Sequence, residues 1–190
     1  MDKRIEICGA IASGKTTLTK AFSSITDNLV FEDFSKVSFL DDFYKSPSQY
    51  AFETEIAFTL QHYFQLKQAS SNHELCVADF SLIGDYAFAQ ANLSEQEFNI
   101  YKQIFNLIID KIGKPQKLVF LKSASQILTR RILDRGRVNE KTISTDYLNK
   151  FEEKLVQAIQ AVYINVPVVF INTNEISFSD YSKEFLLKLI

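Results

Sequence analysis

The chain has no broad basic field: 21 Lys and Arg stand against 23 Asp and Glu, a formal charge of −2. That balance offers little to a polyanionic nucleic acid or an anionic membrane surface, so neither is expected as a partner. No apolar run approaches the roughly 18 residues that a membrane-spanning helix needs. Cysteine is scarce. Cys8 and Cys76 both fall inside apolar runs, IEICGA and ELCVADF, and are expected as buried free thiols in a reducing compartment rather than as a disulfide. Charged residues open the sequence and lead straight into an apolar run, which sets the expectation of no secretory leader and of a cytoplasmic protein. Internal repeats, low-complexity tracts and linkers are missing, as is any Cys/His/Asp grouping with metal-ligand spacing. Of the two histidines, His62 lies on a helical stretch beside Tyr63, where core or pocket lining is expected, and His73 sits in the polar turn SSNHE. A chain of 190 residues can build one compact core, so a single domain over 1–190 is expected.

What is present is an alternation of short apolar runs with longer segments of helical period, the pattern of an α/β fold with a parallel sheet. Strands are predicted at 4–9, 29–33, 75–80, 117–122 and 166–173, several of them continuously apolar as buried parallel strands are. Helices are predicted at 15–25, 50–69 and 94–113. The last opens on a Ser-x-x-Glu capping pattern at Ser94 and Glu97 and ends at Gly113. The expected architecture is a doubly wound, three-layer α/β sandwich around five parallel strands.

Behind the first strand comes GAIASGKTT: Gly9, Ala10, Ile11, Ala12, Ser13, Gly14, Lys15, Thr16 and Thr17. Gly9, Gly14, Lys15 and Thr16 satisfy G-x-x-x-x-G-K-[ST], with the strand before and helix after that the motif requires. Glycines let backbone N–H groups curl around phosphate oxygens, and the helix N-terminus adds partial positive charge. Lys15 would reach the β and γ phosphates of ATP, and the Thr16 hydroxyl would ligate Mg²⁺. GTPases, ATPases and small-molecule kinases share such a loop. The Asn-Lys-x-Asp segment with which GTPases read their base is missing. An arginine-dense stretch is present, ILTRRILDRGRVNEKT, with Arg130, Arg131, Arg135 and Arg137 around Gly136. Such a run suits either a solvated helix face or a lid over 131–142 that closes arginines onto a transferring phosphoryl group.

Together with FEDFSKVSFLDDFYKSPSQYAF, VADFSLIGDYAFA, RILDRGRVNEKTISTDYL and VPVVFINT, the loop makes the chain resemble the deoxynucleoside kinases, particularly their bacterial purine-directed branch. The pieces occur in the family's order and cover most of the chain. The resemblance implies ATP- and Mg²⁺-dependent phosphorylation of a deoxynucleoside 5′-hydroxyl, with Glu32 as general base and Asp79 as an acidic residue near Mg²⁺. Tyr44 and Glu140 match positions that hold the sugar 3′-hydroxyl, while Phe52 and Phe80 would wall the base pocket. Lys15, Arg131, Arg135 and Arg137 would stabilise the transferring phosphoryl group. Asn172 and Asn174, within NTNEISF, would line the adenine of ATP. Homodimers built through a helix bundle are usual in the family, and the 50–69 and 94–113 helices would supply one.

Two departures from the family pattern stand out. Many members carry an arginine directly after the strand-end acid, where this chain has Phe80; the task shifts to the lid arginines or activity falls. Counted from Pro47 without a gap, the family's base-reading Gln falls on Glu55 and its partner Arg on His62, whereas a gapped alignment uses Gln61; Asp85 keeps the remaining member of the group. An ionised Glu55 accepts two hydrogen bonds side by side and so matches the N1–H and 2-amino donors of guanine, which sets an expectation of deoxyguanosine first and deoxyadenosine second. A nucleoside-monophosphate kinase and a nucleotide-binding regulator without turnover are the competing readings.

Overall fold

The computed structural model describes residues 3–70, 74–137, 140, 142–176 and 181–190. His73, residues 138, 139 and 141 of the expected lid, and residues 177 and 178 of NTNEISF lie outside the described residues.

Five parallel strands form the sheet: β1 (Arg4–Gly9), β2 (Leu29–Val30), β3 (Cys76–Ala78), β4 (Lys117–Lys122) and β5 (Val168–Asn172), in the order β2-β3-β1-β4-β5. β1 pairs with β3 from Arg4 opposite Cys76 and with β4 from Ile5 opposite Lys117 to Gly9 opposite Leu121. Its carboxyl end is therefore flanked on both sides, the place where open α/β sheets make a ligand crevice. Period-two alternation divides the strands between two cores. Ile5, Ile7, Val77, Val119, Leu121 and Ile171 face α1 (Lys15–Ala21) and α8 (Lys183–Leu187). Cys8, Val30, Cys76, Ala78, Leu118 and Phe120 face the other way, towards α3 (Pro47–Ala69), α4 (Leu82–Asn92), α5 (Glu95–Ile112), α6 (Ser125–Arg135) and α7 (Thr145–Val162). The short α2 (Leu40–Lys45) packs on α3. The doubly wound three-layer sandwich is thus present, and both cysteines are free and buried.

β1 and β4 have the bounds their apolar runs predict. β2 and β3 stop short of theirs, leaving Glu32 and Asp79 beyond the ladder. The last bond between these strands runs from Asp79 N to Val30 O at 3.0 Å. One residue later the side chain takes over, and Glu32 N donates to Asp79 Oδ1 at 2.6 Å. The carboxylate thus satisfies the backbone donor that a further ladder step would have used. The predicted 15–25 helix divides into α1 and a 3₁₀ turn at Phe22–Ser24, a common tightening of a last helical turn. α5 keeps its capping box, with Ser94 Oγ accepting from Glu97 N and Glu97 Oε2 accepting from Ser94 N.

A buried ion pair inside β1 fixes two of these helices. Arg4 Nε donates to Glu6 Oε1 at 2.9 Å, and the guanidinium also donates to the carbonyls of Ile112 and Gly113 at the end of α5. Glu6 Oε2 accepts from Leu82 N, the first residue of α4, at 3.1 Å. Every charge in the group has polar partners, which is what makes burying it tolerable.

Candidate active site

A cavity of about 710 Å³ opens at the carboxyl ends of the strands, between the phosphate loop, α3, α4, α7 and the arginines of α6. The loop's shape follows from its glycines. Gly9 has φ +143°, and a Cβ there would stand 2.5 Å from Leu121 O and 2.8 Å from Ser13 Oγ. Gly14 caps α1 at φ +100°, another value that L side chains avoid. Ala12 holds φ 62° without that excuse, a local strain of about 1 kcal/mol or more kept at a phosphate site. Ala10 is packed into the core, while Gly9, Ile11, Ala12, Ser13, Gly14, Lys15, Thr16 and Thr17 line the cavity. Lys15 Nζ folds back onto Gly9 O and Ala10 O, both at 3.1 Å. Burial lowers its hold on the proton, and the carboxylates of Glu32 and Asp79 oppose that loss.

Asp79 joins the loop to the acceptor side. Its Oδ2 accepts from Thr16 Oγ1 at 2.7 Å while its Oδ1 takes the Glu32 N–H. Two convergent hard oxygens, one hydroxyl and one carboxylate, fit a Mg²⁺ that keeps most of its shell for water and phosphate. Among the described residues no group of three or more His, Cys, Asp or Glu side chains could make an all-protein cage. Glu32 lines the cavity beside this pair.

The middle of α3 supplies the acceptor wall through Thr54, Glu55, Phe58 and His62, spaced to share one helix face. Gln61 is turned away, its Nε2 donating to Asp33 O at 2.9 Å, so the ungapped count from Pro47 describes the cavity. Phe52 is half-buried and is not part of the cavity wall; Phe58 stands there instead, with Phe88 of α4 and Phe151 of α7. Glu55 is buried and accepts the Asn92 amide at 2.7 Å, and Asn92 in turn accepts the Tyr147 hydroxyl at 3.2 Å. Burial pushes the Glu55 carboxyl up to about 8 against the pull of Asn92, with the nearby Asp85 charge adding to the rise. The expectation of an ionised Glu55 at neutral pH is therefore corrected: burial among three helices leaves it protonated.

His62 and Asp85 form the buried ion pair of this wall, Nδ1 standing 2.9 Å from Asp85 Oδ2. Burial, the strongest influence on the ring, favours the neutral form, yet Asp85 and Glu32 overcome it and push His62 up to about 10. Burial also raises the Asp85 carboxyl, with the His62 charge opposing that rise. Phe80 lines the cavity and stacks on that ring, centroids 3.8 Å apart and planes 9° apart.

The lid arginines split into two groups. Arg135 Nη2 and Arg137 Nη1 pair with the two oxygens of buried Glu140, and Arg137 also lies 4.7 Å over the Phe34 ring. Gly136 between them takes φ +71° at the end of α6. Arg131 instead donates to Thr173 O, and Thr173 Oγ1 donates to Ser13 O at 3.1 Å, which ties α6 to the phosphate loop. Arg130 pairs only loosely with Asp134 at 3.9 Å on an exposed face. Tyr44 lines the cavity, and burial pushes its phenol up to about 12, with Glu140 adding to the rise. Asn172 and Asn174 stand outside the cavity wall. Asn174 Oδ1 accepts from Ser123 Oγ and Ala124 N, both at 2.9 Å, and Asn172 Oδ1 accepts from Asn174 N at 3.0 Å. These bonds shape the β5 and β4 exits. Phe58 was discoverable from its spacing of three from Glu55. Asn92 and Tyr147 had no local signal, because α4 and α7 were not read as helices.

The sequence matches the Deoxynucleoside kinase family over residues 5–190. It is 30% identical to a deoxyguanosine kinase of Bacillus subtilis (strain 168), over 96% of this chain and 89% of that one. It is 28% identical to a deoxyadenosine kinase of Dictyostelium discoideum, over 90% and 72% of the two chains. In three dimensions it is similar to a deoxyadenosine kinase from M. mycoides, seen with bound dATP and with bound dCTP. Each of those structures has a TM-score of 0.83 over 98% of both chains, at 20% and 18% identity respectively, a likeness of fold.

Proposed function

The chain belongs to the deoxynucleoside kinase family, a family of phosphotransferases, and we propose from that premise that it transfers the γ-phosphate of ATP, with Mg²⁺, to the 5′-hydroxyl of a purine deoxynucleoside. The observation that carries this is Asp79, whose two oxygens hold the Thr16 hydroxyl of the phosphate loop and the backbone of Glu32 at once. Those two bonds support a reading in which phosphate donor and acceptor base meet at one point. Glu32 accepts the proton of the 5′-hydroxyl as that oxygen attacks. Lys15, Arg131, Arg135 and Arg137 supply the cations that offset charge on the moving phosphoryl group. Thr16 and Asp79 would hold Mg²⁺, which would supply neutralising charge for the phosphates.

Base selection falls to Glu55. As a neutral carboxyl with Oε1 accepting from Asn92, it presents a hydroxyl donor beside an acceptor oxygen. That pair matches the 6-amino and N1 of adenine and equally the O6 and N1–H of guanine. Deoxyadenosine and deoxyguanosine both fit it near neutral pH, which softens the deoxyguanosine preference drawn from an ionised carboxylate. Cytosine and thymine offer the same donor–acceptor pattern, so the purine preference rests on the similarity to deoxyguanosine and deoxyadenosine kinases. Tyr44 and Glu140 hold the sugar 3′-hydroxyl, Glu140 exchanging one arginine contact for it.

A nucleoside-monophosphate acceptor would bring a second phosphate to a wall that carries Glu32, Glu55 and Asp85. Of lysine and arginine, residues 40–90 offer only Lys45 and Lys67 against it, both exposed and neither in the wall, and the His62 ring in the wall already faces Asp85 and Glu32. Nucleosides are the better fit. ADP formation from ATP over a panel of the four deoxynucleosides and their monophosphates tests the reading: turnover confined to monophosphates would replace it, and no turnover with any acceptor would return the regulator.

We also propose a cytoplasmic homodimer. α3 and α5 pack together and leave Leu60, Phe64, Ile100 and Leu107 exposed, an apolar surface suited to a second copy. The buried free thiols suit a reducing compartment. Light scattering on the purified protein, with Phe64→Glu as the disruptive variant, tests the dimer.

A further inference from the structure

His62 enters the cavity wall from the middle of α3 with its side chain 1% exposed. Two contacts fix the ring. Nδ1 lies 2.9 and 3.0 Å from the two oxygens of Asp85 on α4, which sets its rotation. Phe80 stacks beneath it at 9° and sets its plane. With rotation and plane both set, Nε2 has one direction left, and it stands 3.5 Å from Glu32 Oε1. That atom is buried and has no hydrogen-bond partner among the described residues. Buried donors are rarely left unpaired, and one aimed at the oxygen of a base is a contact waiting to tighten when a ligand excludes water.

We propose that His62 is the positioning residue of Glu32: Nε2–H holds one carboxylate oxygen so that the other faces the acceptor hydroxyl, and Nδ1–H anchors the arrangement on Asp85. The carboxylates of Asp85 and Glu32 keep the ring charged against its burial, so both nitrogens carry the protons this needs. Phe80 gains a purpose it lacks as pocket lining, since a flat apolar face supports an imidazolium without competing for its protons. The positive group beside the base thus comes from α3, and neither the strand end nor the lid has to supply it.

The inference rests on Glu32 being the base, and the variants separate the two. His62→Asn keeps a donor where Nδ1 stands but cannot reach Glu32. Its kcat is expected to fall by about 10²-fold, the scale on which a general base acts, with both KM values within a few-fold of wild type. His62→Arg, which restores a cation with two-ended reach, is expected to recover at least about tenfold of that loss. A folded His62→Asn enzyme turning over at near wild-type rate overturns the proposal, and does so while Glu32→Gln remains inactive. Near wild-type turnover of Glu32→Gln would instead remove the base itself. Because the chain has only two histidines, His62 and His73, ¹⁵N-imidazole spectra give a readout independent of turnover. On Glu32→Gln the His62 Nε2–H signal is expected to move while its Nδ1–H signal holds. An unmoved Nε2 signal overturns the proposal even if the His62 variants fail to fold.

Discussion

Asn92 donates its amide to Glu55 Oε1 at 2.7 Å and accepts the Tyr147 hydroxyl on its own Oδ1 at 3.2 Å. Oε1 is therefore the acceptor oxygen of a neutral carboxyl, and Oε2 carries the proton. As pH rises past about 8 the proton leaves, and two acceptor oxygens then face the base. Only guanine offers two adjacent donors to such a pair. The ratio of kcat/KM for deoxyguanosine over deoxyadenosine is expected to rise about tenfold or more between pH 7 and pH 9, the effect of leaving an adenine lone pair opposite a carboxylate. Glu55→Gln, which keeps donor and acceptor at every pH, is expected to hold the ratio flat. A ratio equally flat in the wild type would refute the assignment.

The same proton links Glu55 to stability. Its folded value of about 8 lies above the ordinary 4.5, so the folded state binds the proton more tightly than the unfolded chain does. The stabilisation is complete below pH 4.5 and is lost as pH climbs through 8, a change of a few kcal/mol at about 1.4 kcal/mol per unit. Melting temperatures measured from pH 5 to 9 should fall in the wild type and fall less in Glu55→Gln. The slope left in the variant above pH 6.5 belongs to His62, whose raised value has the same sign.

Replacing Glu32 by Gln removes the proton acceptor without touching the backbone N–H that Asp79 holds. ATP affinity is expected to stay within a few-fold while kcat drops by about 10² or more. Equilibrium ATP binding beside steady-state rates checks both halves, and near wild-type turnover would dismiss Glu32 as the base.

Arg135 and Arg137 both pair with Glu140 at the cavity wall. Alanine at either position is expected to lower kcat by about tenfold or more and to move substrate KM much less, because a lid cation acts mainly on the transition state. An unchanged kcat would make this stretch a solvated face after all.

How much of this was legible in the sequence depended on how local each cause was. The bounds of β1 and β4, the Ser94–Glu97 capping box and the loop from Gly9 to Thr17 depend on neighbours within a few residues, and all were readable. The sequence left Glu55 and Gln61 as alternatives, and it is the unbroken run of α3 from Pro47 that puts Glu55 on the cavity wall. The upward push on Glu55 was not readable, since it comes first from burial against α4 and α7, with Asp85 adding to it and Asn92 opposing, and α4 has no strong amphipathic signature while the start of α7 reads as part of a lid. The orientation of His62 was hidden for the same reason.

The Arg4–Glu6 pair at the base of β1 constrains how this sequence can drift. Losing either partner strands a charge in the core at a cost of roughly 3–5 kcal/mol, a large share of the 5–15 kcal/mol that holds a typical domain together. An apolar pair in both places can be neutral. Single steps away from it are therefore valleys and the double step is level ground. Arg4 and Glu6 are expected to be inherited as one unit, retained together or replaced together, and chains that diverge from this one should show the two positions changing in concert.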